Sequence, residues 1–305
     1  LGGVAFIVPG LILILALAML FLAGSPPVWI KAAGAGAGAA VAAVAVQAGT
    51  SLIPTSWRRA LQHSSRLRWS LYLLAGGAAA ATLGPWLVLV LVAGGLIEVA
   101  AQRLPPTRHG RHPAAAGPAL AAAGIGGGVL LSLAWVAFKV GALSYGGGFV
   151  IIPLMQSDAV NHYHWMSAGQ FLNAVALGQI TPGPVVQTVA VVGYAAAGIG
   201  GGLLASAVAF TPSFAFVLLG AHHFDRLRDN RYVRAFLDGA GPAAIGAILG
   251  SAIPLAAALT QPWQYAVLAG AALLLLPLRR GVVLTLLTAA AVGIVIGLAG
   301  GPLPY

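Results

Sequence analysis

The segment Trp135–Tyr194 decides how this chain folds, and two motifs in it carry most of the information: FKVGALSYGGG at residues 138–148 and GQITPGP at residues 178–184. A lysine, three consecutive glycines and a Pro-Gly-Pro turn lie here in sequence that is otherwise apolar enough for a membrane. Helix breaks in a bilayer are tolerated only where the freed backbone lines a cavity or is covered by protein. We therefore expect this segment to form a binding site at membrane depth.

The composition is that of a membrane protein. Of the 305 residues, 60% are hydrophobic and only 7% are charged, with a mean hydropathy of +0.96, which lies outside the range of soluble globular domains. The net charge of +10 comes from arginines grouped between apolar segments, and the positive-inside rule explains this better than nucleic-acid binding. The absence of cysteine excludes disulfides and thiolate metal sites within the chain.

A helix needs about 20 apolar residues to cross a bilayer. Apolar runs of about this length fall into two halves of the chain. Residues 1–101 contain four such runs, residues 102–128 form a basic linker that we place in the cytoplasm, and residues 129–305 contain the rest. In the second half we predict a helix over residues 129–157 that breaks at the glycine triplet and continues outward. A loop is predicted in the polar interval Gln156–Gln170.

A re-entrant hairpin is predicted next. Two apolar pieces, at about residues 168–180 and 184–198, are each too short to cross the membrane. They are joined by Thr181-Pro182-Gly183-Pro184, and Pro with Gly marks a reversal of the chain. We place the tip of this hairpin near the middle of the bilayer.

A weak internal repeat relates the two halves. Val4-Ala5-Phe6 is echoed by Val208-Ala209-Phe210, and Gly34-Ala35-Gly36 by Gly239-Ala240-Gly241, at an offset of about 204 residues. Basic loops of one half match uncharged turns of the other, so equivalent loops face opposite sides. The expected fold class is an all-α polytopic membrane protein with two inverted-topology repeats, the first of them incomplete at its N-terminus. Such repeats with broken helices are typical of secondary transporters.

Lys139 needs a counter-charge. A lysine inside a span costs about 2.5 to 3.5 kcal/mol even on a lenient insertion scale. We place all five acidic residues in loops or near span ends, so a bound anion is the simplest partner for Lys139. These acidic residues are Glu98, Asp158, Asp225, Asp229 and Asp238. The alternatives are that Lys139 reaches an interface, or pairs with a carboxylate in a preceding part of a longer protein, since the chain opens at Leu1 in an apolar run without an initiator Met.

Two helix N-termini are expected to meet beside Lys139, one after Gly148 and one at Pro184. Such ends carry free N–H groups and a partial positive charge of about half a unit, so they bind anions. Neutral side chains complete the predicted site, with Gln179 and Thr181 best placed at the hairpin tip; the alternative is that these side chains hold helices together. The candidate substrate-binding residues are Lys139, Ser144, Tyr145, Gly146, Gly147, Gly148, Asn173, Gln179, Thr181, Pro182, Gly183, Pro184 and Gln187.

No metal or catalytic site is expected. His162 and His164 lack an obvious third ligand. Asp238 is interpreted as a helix cap, with proton coupling as the alternative, and Lys31 and Glu98 as span-end residues that reach the interface. Since no nucleophile–base pair lies at membrane depth, we expect neither an enzyme nor a cofactor.

Together the two motifs resemble the signature of the chromate ion transporter family, and the resemblance extends over essentially the whole chain. It implies two homologous halves and export of chromate, with sulfate as a similar oxyanion, from the bacterial cytoplasm across the inner membrane. A first-half counterpart of the motif would precede Leu1. The positions that the resemblance implies to matter are Lys139, Tyr145, Gly146, Gly147, Gly148, Gln179, Pro182, Gly183 and Pro184.

The function we expect is secondary active transport of chromate by alternating access. Proton coupling is favoured because no ATP-binding GxxxxGK[ST] motif is present. The alternatives are transport of sulfate or another oxyanion, a passive anion channel, and a membrane scaffold without transport. The expected partners are the oxyanion, membrane lipid and a second copy of the chain in a homodimer, with no nucleic acid.

Overall fold

The structure, a computed structural model, describes residues 2–22, 26–63, 66–82, 87–102, 128–144, 151–220 and 230–304. These residues form eleven α-helices, and no β-strand occurs among them. A π-helix, Ser157–His162, continues α6, and a 3₁₀ turn, Val185–Gln187, leads into α8. The helices are α1 (Gly2–Phe21), α2 (Val28–His63), α3 (Arg66–Thr82), α4 (Leu87–Ala101), α5 (Val129–Ala142), α6 (Ile151–Gln156), α7 (Ala168–Ile180), α8 (Thr188–Gly220), α9 (Arg231–Ala257), α10 (Pro262–Leu275) and α11 (Val282–Leu298).

Several helices are built to lie in lipid. Four helical stretches are long and apolar enough to cross a membrane, and they belong to α1, α2, α8 and α9. Phe6, Leu74 and Leu218 are each more than half exposed, and apolar exposure of this extent is unusual in water-soluble proteins. The chain is therefore an all-helical, multi-pass membrane protein, as predicted. The predicted linker lies outside the described residues, apart from its first and last positions.

Glycines hold the central helices at close range. Helix α2 packs on α10 and α11, whereas α9 packs on α3 and α4, so each long helix contacts the last two helices of the other half. A Cβ on Gly36 would collide with the carbonyl oxygen of Ala289, and one on Gly246 with that of Leu73. Small residues give membrane helices this close backbone approach. The packing is reciprocal between the halves, while their opposite orientation in the membrane stays a prediction.

The prediction that the helix over residues 129–157 continues in the same direction after its break at the glycine triplet is wrong. Helix α5 ends at Ala142, and Lys139 forms an ion pair with Asp158. Along a continuous helix these two residues would lie roughly 28 Å apart, at 1.5 Å per residue. Helix α6 therefore does not continue in the direction of α5, and residues 145–150 between them lie outside the described residues.

The predicted loop over Gln156–Gln170 is also shorter than expected. Its first part is the π-helix, in which Asp158 and Ala159 are buried. Ser167 and Gln170 then form a capping box that begins α7, which is a known start signal for a helix. The polar side chains of this interval therefore belong to helix ends rather than to one long loop.

The two arms of the predicted hairpin form as helices. Helix α7 ends at Ile180, and the next helical turn begins at Val185. The arms lie side by side, since a Cβ on Gly178 would collide with the side chain of Thr188. Helix α8 then bends back on itself at Ala197–Gly198, where both residues have non-helical dihedral angles. The position of the hairpin tip within the bilayer stays a prediction.

Candidate functional site

Lys139 has a carboxylate partner. Its Nζ lies 2.7 Å from Oδ2 of Asp158. The side chains are 23% and 7% exposed respectively, so the pair is largely withdrawn from solvent. The expectation that every acidic residue lies in a loop or near a span end is wrong for Asp158, and a bound anion is not needed to explain the lysine. The alternative, that Lys139 pairs with a carboxylate in a preceding part of a longer protein, is also not needed, because Asp158 is its partner.

The turn that carries Asp158 is a π-helix. The backbone N–H of Tyr163 donates to the carbonyl oxygen of Asp158 over 2.8 Å, a bond across five residues. Single π turns inside helices occur frequently at functional sites. Asp158 and Lys139 thus lie on separate helical segments.

The tip of the hairpin leaves one donor without a partner. Thr181, predicted as a donor to the anion, is buried, and its Oγ1 donates to the carbonyl oxygen of Leu177 over 2.9 Å. Gln179 differs, since its Nε2 is buried and has no hydrogen-bond partner. A buried unpaired donor is costly, by about 1 to 3 kcal/mol. Gln179 is therefore the predicted tip residue that is still able to donate to a ligand.

Gln187 ties the turn to the first helix of the chain. Its side chain is 1% exposed, and its Nε2 donates to the carbonyl oxygen of Ile7 over 2.7 Å. The Oε1 atom has no partner and lies 2.6 Å from the place that a Cβ on Gly10 would take. The carbonyl oxygen of Pro182 also abuts Gly10. Because Gln187 already donates to α1 and turns an acceptor toward the turn, its predicted role as a donor to an oxyanion loses support.

The turn itself needs its glycine. Gly183 has a φ of 143°, a conformation that side chains with a Cβ rarely adopt. Pro184 follows it with extended dihedral angles and precedes the 3₁₀ turn. Thus Pro182, Gly183 and Pro184 lie together against α1, as one rigid corner between α7 and α8.

The remaining predicted residues fall in other places. Ser144 follows α5, and its N–H donates to the carbonyl oxygen of Gly141 over 3.4 Å. Tyr145, Gly146, Gly147 and Gly148 lie outside the described residues. The predicted meeting of a helix N-terminus after Gly148 with the one at Pro184 therefore stays a prediction.

Asn173 lines a cavity that was not predicted. The cavity has a volume of about 690 Å³ and lies where α2, α7 and α10 begin. Lys31, in the first turn of α2, belongs to its wall. Lys31 had been interpreted as a span-end residue, and its sequence context gives no sign of a cavity. The polar residues of the wall are Lys31, Ser167, Gln170, Asn173, Thr260 and Gln264.

Glu98 is a structural residue and does not reach an interface. It is fully buried and accepts hydrogen bonds from Nε of Arg68 over 3.0 Å and from the hydroxyl of Tyr72 over 3.0 Å. Gln102 donates a further bond. The prediction that Glu98 snorkels is therefore wrong.

Comparison with known proteins places this geometry in a family. The family model described as chromate transporter matches residues 131–296, which include most of α5, the ion pair and both arms of the hairpin. The chain belongs to the chromate transporter family. No solved structure matches the chain.

Members of the chromate transporter family with curated names give the same picture. The chain is 35% identical over 264 residues to a chromate transport protein of Cupriavidus metallidurans, covering 83% of this chain and 63% of the relative. It is 30% identical over 265 residues to a probable chromate transport protein of Synechococcus elongatus, covering 83% and 65%. A chromate transport protein of Pseudomonas aeruginosa is 36% identical over 118 residues, 39% of this chain and 28% of the relative. The chain thus spans less than two thirds of the first two relatives.

Proposed function

We propose that this chain forms the transport path of a secondary active chromate exporter in the bacterial inner membrane. Support comes from membership of the chromate transporter family and from relatives that are named chromate transport proteins. Residues 1–101 serve as the end of a first repeat and residues 129–305 as a second repeat of inverted topology. Sulfate, as a tetrahedral dianion of similar shape, is the alternative substrate.

The observation that carries the mechanism is the ion pair of Lys139 and Asp158, with Nζ and Oδ2 2.7 Å apart. A divalent oxyanion competes with the Asp158 carboxylate for the Lys139 ammonium. Gln179, whose Nε2 has no hydrogen-bond partner, donates to the bound anion. Backbone N–H groups at the broken helices supply the remaining positive potential.

Coupling to protons follows from this competition. Once the oxyanion takes Lys139, the buried Asp158 carboxylate has lost its cation, and an unpaired buried charge is costly enough that the group neutralises instead. Asp158 therefore takes up a proton when the anion binds. The anion and the proton are therefore bound at the same time and cross the membrane together, which makes the protein a symporter.

The membrane potential drives export in this scheme. One dianion leaving with one proton moves a net charge of −1 outward. A potential of 100 mV, negative inside, favours this movement by about 2.3 kcal/mol. Return of the empty protein re-forms the ion pair of Lys139 with Asp158, which completes the cycle without a second coupling ion.

The proposed orientation agrees with where the connections between helices lie. The start of α2 at Val28 and the uncharged connection at Thr260 border one cavity. Arg279 and Arg280 border a second pocket with Gln47 of α2, which by helical rise lies roughly 28 Å from Val28. By the positive-inside rule, the end with the two arginines faces the cytoplasm.

Uptake into inverted vesicles tests this function. Vesicles with the intact protein accumulate radiolabelled chromate when the interior is made positive, and Lys139→Gln abolishes this uptake. Arg280→Gln, which removes a cation that takes no part in the ion pair of Lys139 with Asp158, is the matched control and retains this uptake. Undiminished uptake by Lys139→Gln removes the lysine from the mechanism, and uptake that only follows the electrochemical gradient of chromate without response to pH indicates a passive channel. If the wild-type protein shows no uptake, the alternative of a membrane scaffold without transport is favoured.

A further inference from the structure

We propose that the cavity of about 690 Å³ at the start of α2 is an outer vestibule that holds a hydrated oxyanion beside Lys31. This inference rests on the proposed function for the chemical class of the anion and for the orientation of the chain in the membrane. This place is separate from the ion pair of Lys139 with Asp158 and contains neither residue. It supplies a second, weaker binding position on the path.

The charge of the cavity is positive. Among the described residues that line it, Lys31 alone is charged, and none is a carboxylate. Among the described residues, Lys31 takes part in neither of the two ion pairs of the structure. A lysine ammonium without a carboxylate partner attracts anions over a distance of about a Debye length, which is roughly 8 Å at physiological ionic strength. The cavity therefore enriches anions and disfavours cations.

Asn173 gives the cavity a hydrogen-bonding group with a fixed position. A Cβ on Gly34 would lie 2.8 Å from Nδ2 of Asn173, and one on Gly38 would lie 3.1 Å from Oδ1. The two glycines thus form a groove on α2 in which the amide rests. Within the described part of the chain, the amide of Asn173 has no hydrogen bond to protein, and the residue lines the cavity. Its N–H groups are available to an oxyanion or to the water around it.

The other amide of the cavity wall, that of the buried Gln264, has a different role. Gln264 Oε1 accepts from the backbone N–H groups of Thr260 and Gln261 over 3.1 Å each. Its Nε2 donates to the carbonyl oxygen of Ala35 over 3.2 Å. Gln264 therefore fixes the start of α10 to α2 and gives the wall its shape, whereas the side chains of Asn173 and Lys31 have no hydrogen-bond or ion-pair partner among the described residues.

The volume shows how the anion is held. Since water occupies about 30 Å³ per molecule in the liquid, the cavity has room for roughly twenty water-sized volumes. A tetrahedral oxyanion fills only a few of these, so it keeps most of its hydration shell. Binding is consequently weak and sensitive to ionic strength, in contrast to a dehydrated site at the helix breaks.

The absence of cysteine from this chain makes the vestibule directly testable. In the intact protein, a single cysteine is introduced by Ala168→Cys, at a half-buried position of the cavity wall. The rate at which this cysteine reacts with an anionic methanethiosulfonate is then compared with its rate of reaction with a cationic one. Sulfate serves as the probe ion, because chromate oxidises thiols. A second cysteine position, Leu303→Cys, also lines the cavity and replaces the first if Ala168→Cys does not fold.

The expected result is that the anionic reagent, added from outside, reacts about threefold or more faster than the cationic one. Lys31→Gln removes this preference, whereas Arg280→Gln leaves it unchanged. Sulfate slows the anionic reagent more than sodium chloride at equal ionic strength does. Equal rates for both reagents, a preference that survives Lys31→Gln, or access only from the cytoplasmic side overturns the vestibule. Because thiol labelling needs no transport, a failure of vesicle uptake with these labelling results would reject the proposed function alone.

Discussion

Lys139 and Asp158 lie 19 positions apart in the sequence, yet Nζ and Oδ2 are separated by 2.7 Å. This contact joins the last turn of α5 to a π-helix that follows α6. It gives Lys139, the only lysine in the sequence from Trp135 to Tyr194, a counter-charge. The same contact is the one that an incoming oxyanion has to open in the proposed mechanism.

The first prediction concerns the stability of this pair. Lys139→Gln or Asp158→Asn alone leaves one charge unpaired, and for a pair that is partly exposed on the lysine side we expect a cost of about 2 kcal/mol. The thermal midpoint of the detergent-solubilised protein should fall by roughly 5 °C. The double variant, which is uncharged at both positions, should recover most of this loss while transport stays absent. Additive losses in the double variant would show that the two side chains do not interact.

Glu98 provides a comparison carboxylate. Glu98→Gln removes the charge that faces Arg68, in a cluster that contains neither residue of the ion pair of Lys139 with Asp158, so we expect a lower thermal midpoint and an unchanged pH dependence of oxyanion uptake. Tyr72→Phe removes one hydrogen bond to the same carboxylate and should cost about 1 kcal/mol. An altered pH dependence in Glu98→Gln would mean that this cluster also carries protons.

Close helix packing predicts opposite outcomes for two glycines of α9. Gly246→Ala places a methyl group against the carbonyl oxygen of Leu73 and should destabilise the protein by about 1 to 3 kcal/mol. Gly241→Ala meets no atom within 4 Å, and alanine is favoured over glycine in a helix by about 0.5 to 1 kcal/mol. Thermal unfolding in detergent distinguishes the two, and equal midpoints would contradict the observed packing of α3 on α9.

Gln187 should act through position, since it ties the Pro-Gly-Pro corner to α1. Gln187→Leu loses the hydrogen bond to Ile7, at a cost of about 1 kcal/mol, and should slow transport without abolishing oxyanion binding. Gln187→Glu turns a second acceptor toward the Ile7 carbonyl oxygen and should be more damaging than leucine. Transport rates from uptake assays and affinities from equilibrium binding, measured for both variants, check that glutamate is more damaging than leucine and that leucine lowers the rate more than the affinity. A full loss of binding in Gln187→Leu would instead make Gln187 a direct ligand.

Local sequence signals predicted some of these features. Pro182-Gly183-Pro184 punctuates the chain, so the two arms around it were predicted close to their observed limits. Lys139 stands out in an apolar helix and was predicted to matter. Its partner was missed because the residues around Asp158 have the composition of a loop, and a π-helix leaves no periodic signal in a sequence.

Contacts between residues far apart in the sequence could not be predicted from local sequence signals. Ile7 and Gln187 are 180 residues apart, and nothing local to either residue indicates that they meet. The groove that Gly34 and Gly38 make for Asn173 likewise depends on two helices from different halves. Gly10, beside Pro9 in an apolar helix, carried a weak hint, because a Pro-Gly pair within a span often has a packing or functional cause.

Proton uptake on binding of the oxyanion tests the competition for Lys139 most directly. Sulfate is added to purified protein in weakly buffered solution, and the pH change is followed with an indicator dye. The mechanism predicts uptake of about one proton per anion bound by the wild-type protein, anion binding without proton uptake by Asp158→Asn, and neither event in Lys139→Gln. Proton uptake of equal size in Asp158→Asn, or unchanged sulfate binding by Lys139→Gln, would contradict it.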